Sequence, residues 1–362
     1  MTIKDGSSPR PPLAFSEIAL EFGNPIDNKL GNYRNTTNKS SSGWDLGSLP
    51  FDSGIPTSGA IKFSDFYNKQ LNVVVDCYND CPNEHVNAKS QWDNNKVTVI
   101  GERRDKKIGG SKVIIHVNKE IGSQSGGYGG NTAAKEAQRG KCALRTGTGW
   151  SYTSKMQIDL GDSARLRGAG GQGGKGNIPS SGSVPEICNG REGTSALGIQ
   201  HGSSVIKTVI NVNSSAVIRA GYGGGGGGGG SYFDEGKGKG GHPYPGTGGG
   251  GGAGWPVGAG GAAGDGAFGD GAAAAAGSAG TRTAGGSSGS GTNSNNRRGG
   301  DGGDADGNAQ NGTTGACDAG CSSNGVAGGN GTALRSTGAS NTYTLNNNGS
   351  MVGGIKNSGD VS

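Results

Sequence analysis

The chain has 362 residues, 80 of them glycine, with 30% hydrophobic and 6% aromatic residues and a net charge of +5. Glycine at about three times its average share, with so few apolar residues, argues against one conventional core spread over this length. The glycines come in runs and doublets, which excludes collagen. No stretch approaches the roughly 20 apolar residues of a membrane-spanning helix, so membrane insertion is not expected. The 33 basic and 28 acidic residues lack the basic stripe of a nucleic-acid binder; the densest cluster, Arg103, Arg104, Lys106 and Lys107, has Asp105 inside it.

The N-terminus lacks the apolar core of a signal peptide, so synthesis and assembly in a cytoplasm are expected, where stable disulfides are not the default. Of the six cysteines, Cys77 and Cys81 are four apart, as are Cys317 and Cys321, while Cys142 and Cys188 stand alone. Zinc accepts such pairs, but the two lie in very different contexts. Free buried cysteines or a late-formed bridge are the expected alternatives, and no metal or other cofactor is assigned.

Three zones follow in chain order: 1–71, 72–140 and 141–362. The first holds two similar phrases, Pro12-Leu13-Ala14-Phe15-Ser16-Glu17-Ile18 and Ala60-Ile61-Lys62-Phe63-Ser64-Asp65-Phe66-Tyr67. In each, an apolar pair leads into a serine placed to cap a short helix, with an acidic residue next at its positive end. Gly23 is expected to stop the first helix. The zone is small and polar for burying its own apolar side chains. It therefore reads as a docking segment completed by a partner through Phe15, Ile18, Phe22, Phe63, Phe66 and Tyr67.

The second zone carries the clearest strands: Val73–Val75, Lys96–Ile100 and Lys112–Lys119, the last with period-two alternation through its second half. It reads as a small β module. The third zone repeats a unit of strand, turn, strand and glycine tract. Met156–Leu160 leads to Ala164–Gly168 and the tract GAGGQGGKG; Val209–Val212 leads to Ala216–Ala220 and Gly223–Gly230; Tyr343–Leu345 leads to Ser350–Gly354. Such repetition signals stacked units that share a core, although the spacing looks too uneven for a regular solenoid.

Wholesale disorder is the bland reading of so much glycine. An ordered alternative exists. Extended glycine adopts a threefold left-handed helix with a rise of about 3.1 Å and no internal hydrogen bonds. Its N–H and C=O groups can then bond to neighbouring helices, provided no Cβ keeps the backbones apart. The tracts follow short strands in a repeated order and are interrupted by aromatics rather than by charge, which favours order. The expected class is mainly β with much irregular structure: a docking segment with short helices, a β module, and a domain of packed polyglycine II-type helices with short strands. Aromatics in loops on such a base, Tyr222, Tyr232, Phe233, Tyr244, Trp255 and Phe268, suit an adaptable binding surface, or else plug the ends of the packing.

Catalytic signatures are weak. Gly168–Gly176 fails as a phosphate loop, because Ala169 and Gly176 stand where glycine and Ser/Thr are required. His85, His116, His201 and His242 lack metal-ligand spacing, and His116 reads as structural. Asp301, Asp304 and Asp306 could hold calcium through oxygen ligands, though a solvated acidic loop is the simpler reading. No catalytic residue is assigned and no enzyme is expected.

The phrases PLAFSEIALEFG and GAIKFSDFYNK resemble short N-terminal signatures of bacteriophage tail and tail-fibre proteins. KVIIHVNKEIG, MQIDLGDSARLRGAGGQGGKG and NVNSSAVIRAGYGGGGGGGG look like the glycine-rich domains of phage receptor-binding proteins, similar in kind to the distal adhesins of T-even long tail fibres. The resemblance implies a virion tail protein whose partners are other tail or fibre subunits and a host surface receptor, protein or glycan, with self-association left open. It implies packed polyglycine layers with receptor-facing loops. The alternative is a structural fibre or baseplate connector without receptor contact.

Overall fold

A computed structural model describes residues 12–22, 29–34, 54–69, 72–77, 86–87, 112–148, 154–177, 186–200, 205–233, 242–264, 274–290, 298–305, 324–338 and 343–362. The expected strand Lys96–Ile100 and the helix stop at Gly23 lie outside them. Strands far outnumber helices among the regular elements described, and all of the larger sheets are parallel.

The repeated unit is one turn of a three-sided parallel solenoid. The first complete turns are β2 (Val86–Asn87), β3 (Lys112–Val117) and β4 (Glu120–Gly122), then β5 (Cys142–Arg145), β6 (Ser154–Leu160) and β7 (Arg165–Arg167). The third is β8 (Ser195–Ile199), β9 (Val205–Val212) and β10 (Val217–Arg219). After a hairpin, β11 (Ser231–Phe233) and β12 (His242–Tyr244), the coil resumes with β13 (Leu334–Ser336), β14 (Tyr343–Asn347), β15 (Ser350–Val352) and β16 (Ile355–Lys356). Together with β1 (Asn72–Cys77), the strands stack into three sheets, β1-β3-β6-β9-β14, β4-β7-β10-β15 and β2-β5-β8-β13-β16. The uneven spacing that argued against a solenoid comes from excursions at the corner between the second and third sheets, together with the 24 residues that separate β2 from β3. The excursions are residues 123–141, 168–194 and 220–333, and the turn Gly353–Gly354. The β3–β6 and β4–β7 pairings also run across the expected divide at residue 140.

Each strand points alternate side chains inward. Ile121, Leu166 and Ile218 stack in register with Met351 in the second sheet, and Leu144, Leu197 and Leu334 stack in the third. With Ile115, Ile158 and Ile210 of the first sheet they form one buried column. The phrases GDSA and NSSA make the corners: Ala164 N–H donates to Gly161 O at 2.9 Å and Ala216 N–H to Asn213 O at 3.0 Å. Both alanines are buried where a larger side chain would meet the column. Helix α1 (Phe15–Phe22) lies near the N-terminus, and α2 (Thr132–Gly140) occupies the first excursion. Asn131 caps α2 through its side chain, accepting from Ala134 N–H at 2.9 Å.

The other excursions build a lattice of extended tracts. The N–H groups of Gly168, Gly171, Gly174 and Asn177 donate to the carbonyls of Arg219, Tyr222, Gly225 and Gly228. Gly221, Gly224 and Gly227 donate to Thr194, Arg191 and Cys188, and Tyr222, Gly225 and Gly228 to Ala253, Gly250 and Thr247. Gly325, Gly328 and Gly331 donate back to Gly227, Gly224 and Gly221. Every series advances by three residues, at 2.8–3.0 Å. The tract 221–230 is buried throughout. None of its glycines has positive φ, so glycine is needed here for space rather than for conformational freedom. A Cβ on Gly225 would collide with the backbone of Gly300.

Residues 12–69 form a separate small core of Ile18, Tyr33, Ile55 and Phe66, with Leu13, Phe15, Leu30 and Ile61 packed against it. Tyr33 stands edge-on to both Phe15 and Phe66, with centroids at 5.7 and 5.9 Å. The expected serine caps are replaced by carboxylates: Glu17 accepts from Ala14 N–H at 2.8 Å and Asp65 from Lys62 N–H at 2.7 Å. Ser16 falls inside α1, and the second phrase forms a 3-10 turn, Phe63–Phe66, instead of an α-helix. The repeated phrase thus encodes a repeated contact, an N–H bonded to the carboxylate three residues on.

Candidate functional site: the far end of the glycine lattice

The direction of each tract fixes which end carries its loops. Tract 168–177 leaves β7 and runs parallel to tract 221–230, which leaves β10. Tracts 186–194, 246–253 and 324–332 return antiparallel to 221–230. Tract 256–264 runs outward, bonded by Gly170, Gly173 and Gly176 to Pro256, Ala259 and Ala262. Tracts 274–281, 284–289 and 298–304 then alternate in direction. Asn177, the hairpin β11–β12, Gly264 and Ala274 therefore all lie at the end away from the solenoid, as do the 289–290 and 298–299 ends of the last two tracts. Asn177 ties this end together, donating from its N–H to Gly228 O and accepting from Gly246 N–H, each at 2.9 Å.

Side chains cross-link the tracts near their ends. Asp301 accepts from Ser288 N–H at 2.7 Å and Ser288 Oγ–H at 2.9 Å, and pairs with Arg298 at 3.4 Å. Burial raises the pKa of Asp301, but the Ser288 bonds and the Arg298 charge outweigh it and hold the group below its ordinary value. Asp304 accepts from Gly285 N–H at 3.3 Å. Asp301 and Asp304 thus serve as lattice cross-links and not as a freely solvated loop; Asp306 lies outside the described residues. Among the described residues no group of three or more His, Cys, Asp or Glu is placed to hold a metal ion, and no helix is long and apolar enough to cross a membrane.

The six loop aromatics separate. Tyr232 and Phe233 lie on β11 and Tyr244 on β12, with Tyr232 opposite Pro243 and Phe233 opposite His242 in the antiparallel register. They occupy the far end. Tyr222 is only 4% exposed and lies within the first turn of its tract. Trp255 sits at the opposite, solenoid end: its N–H donates to Gly168 O at 2.8 Å and its carbonyl accepts from Ser123 N–H at 3.2 Å. The Arg282 guanidinium lies 4.0 Å over its ring, and Arg282 and Arg167 both pair with Glu120. Tyr222 and Trp255 are therefore packing residues of the lattice base, because the tracts place them one length away from the loops. Phe268 lies outside the described residues.

The expected docking residues separate similarly. Ile18 and Phe66 are fully buried in the N-terminal core and Phe15 and Tyr67 are half-buried, whereas Phe63 is 40% exposed. The side chain of Phe22 lies outside the description. The segment buries its own apolar side chains, contrary to expectation, because the two phrases pack on each other through Tyr33. Of the cysteines, Cys142 and Cys188 are free and buried, and burial pushes the Cys142 thiol up to about 12.

One constellation escaped the sequence reading. His116, Asp159, Asn211 and Asn346 share a register position on β3, β6, β9 and β14. They line a surface groove of about 340 Å³ with Asn213 and Asn348. The available signal was the phrase of a polar residue two places before the corner, in HVN, DLG, NVN and NNN.

No protein-family model and no curated protein sequence matches the chain. Among solved structures, the chain is similar to the gp37-gp38 adhesin tip complex of the bacteriophage S16 long tail fiber, at 18% identity and a TM-score of 0.39, over 96% of this chain and 98% of that one.

Proposed function

We propose that the chain is a phage virion tail adhesin, which docks to tail or fibre subunits through its N-terminal segment and contacts a host surface receptor at the far end of the lattice. The observation that carries the reading is the convergence of tract ends and the hairpin β11–β12 at one end of a base cross-linked every third residue. A rigid base lets a few loop aromatics bind without the ordering cost that a free glycine loop would pay. The resemblance of the N-terminal and glycine-rich phrases to those of tail proteins points the same way. We read the tracts as polyglycine II-type helices, supported by the period-three bonds and the lack of positive φ.

The test is the triple substitution of Tyr232, Phe233 and Tyr244 by alanine in intact particles, with Trp255→Ala as a control at the base. Anchors of this kind contribute about 2 kcal/mol each, so adsorption to host cells should fall more than about tenfold with particle assembly unchanged. Trp255→Ala particles should adsorb normally below their melting temperature. Unchanged adsorption of the triple variant would sink the receptor assignment and favour a structural connector.

A further inference from the structure

We propose that the outer face of the first sheet is a second binding site, for a neutral polyhydroxylated ligand, a glycan chain. It lies in the groove of His116, Asp159, Asn211, Asn213, Asn346 and Asn348. Val117, Leu160 and Val212 follow the ladder residues and are buried in the column, so alternation turns His116, Asp159 and Asn211 outward. Strands lie about 4.8 Å apart, and the face therefore presents one planar polar group per strand, a spacing comparable to a pyranose ring.

The groups are held in one orientation. Asp159 accepts from Gln157 Nε2 at 2.8 and 2.6 Å and from Asn211 Nδ2 at 2.7 Å. Asn211 Oδ1 in turn accepts from Asn346 Nδ2 at 2.8 Å. A primary amide carries two hydrogens and a carbonyl with two lone pairs. Asn211 and Asn346 each retain a hydrogen, and the Asn346 carbonyl has no further rung to bond, because β14 is the outer strand of its sheet. A purely structural amide ladder would bond each amide to the next. Here the two amides do bond, but the series ends on the Asp159 carboxylate after two rungs, and the unused capacity faces an open groove.

The lining selects the ligand class. Among the described lining residues there is no Lys or Arg and one is an aspartate, which disfavours an anion. The described lining brings one carboxylate and one imidazole, and no group of three metal-ligating side chains is found among the described residues, so a cation is poorly served. Leu160 and Val212 line the groove, but their side chains are almost fully buried in the core, so the apolar surface on offer is small beside a lipid tail or an aromatic ring. Fixed donors and acceptors side by side, in a volume at the lower end of ligand pockets, match vicinal hydroxyls. The site is distinct from the far end of the lattice and does not rest on the receptor reading of that end.

The experiment is saturation-transfer NMR on the full chain with a panel of neutral bacterial O-polysaccharide and core-oligosaccharide fragments. Transfer to at least one fragment is expected. Asn346→Ala, on an exposed position of the outer strand, and Asp159→Ala should each weaken that contact at least about fivefold, the size of one lost hydrogen bond. The Tyr232/Phe233/Tyr244 triple variant should leave it unchanged. No transfer to any fragment, or full transfer in folded Asn346→Ala, would overturn the proposal. Loss in the triple variant alone would also overturn it, by assigning the glycan contact to the lattice end. Asn346→Ala keeps the test decisive should Asp159→Ala fail to fold.

Discussion

Arg335 and Glu136, 199 positions apart, meet at 3.0 Å, and the arginine side chain is only 1% exposed. Glu136 sits on α2 in the first excursion and Arg335 on β13, the strand at which the chain resumes its coil after the whole lattice. Lys356 on β16 reaches the same carboxylate at 2.6 Å. One acidic group thus fastens the last turns of the solenoid to an early excursion. Arg335 Nε also donates to Ser195 Oγ at 3.3 Å, which ties β13 to β8 beneath the lattice.

Removing that carboxylate should cost about 3 kcal/mol, because Arg335 would keep its charge in a buried setting with its counter-charge gone. Burial alone would raise the pKa of Glu136, but the bonds and charges of Lys356 and Arg335 outweigh it and hold the group below its ordinary value. A carboxylate whose folded pKa is depressed adds stability above its unfolded pKa of about 4.3 and loses it as pH falls through the folded value. Urea unfolding of the wild type should therefore show stability declining below about pH 4.5. Glu136→Gln should be less stable at pH 7 and flatter with pH over that acid range. An equally steep acid decline in Glu136→Gln would show that other carboxylates carry the dependence.

The lattice makes a sharper demand on single atoms. Gly225→Ala places a Cβ against the backbone of Gly300, which cannot rotate away. Overpacking of this kind costs about 1–3 kcal/mol, and the period-three bonding passes the strain to five neighbouring tracts. Gly130→Ala is the matched control, since a Cβ there meets nothing within 4 Å and the substitution only reduces the freedom of the unfolded chain. Calorimetry should show a clear fall in melting temperature for Gly225→Ala and none for Gly130→Ala. Equal behaviour of the two would mean that the tracts are not close-packed in solution.

These relationships were unequally legible in the sequence. Lys112–Lys119 announces itself by alternation through its second half, Met156–Leu160 and Val209–Val212 by their place in a repeated unit, and the glycine tracts by composition. Their stacking into a solenoid was hidden, because register depends on pairing between strands rather than on spacing along the chain, and the excursion 220–333 breaks any count. Tyr222 and Trp255 were not separable from the hairpin aromatics for a related reason. Composition reveals that an aromatic interrupts a tract, but only the direction of the tract decides whether it stands at the loop end or at the base. The Asp159–Asn211–Asn346 ladder needed both register and outward alternation to become visible. The burial of Ile18 and Phe66 needed Tyr33, which lies between the two phrases and belongs to neither.

The N-terminal core separates folding from docking at two phenylalanines three positions apart. Phe66 is fully buried against Tyr33, and its truncation to alanine leaves a cavity that costs about 3–5 kcal/mol, enough to unfold so small a core. Phe63, on the same 3-10 turn, is 40% exposed, and Phe63→Ala should leave the core folded. If this segment docks the protein to other tail subunits, both variants should lower incorporation into particles, by different routes. Phe66→Ala should lose the protease resistance of the core segments 12–22 and 54–69, whereas Phe63→Ala should keep it. Immunoblotting of purified particles, paired with limited proteolysis of the free protein, reads both quantities. Normal incorporation of a protease-resistant Phe63→Ala chain would remove Phe63 from the docking surface, and normal incorporation of an unfolded Phe66→Ala segment would remove the segment itself.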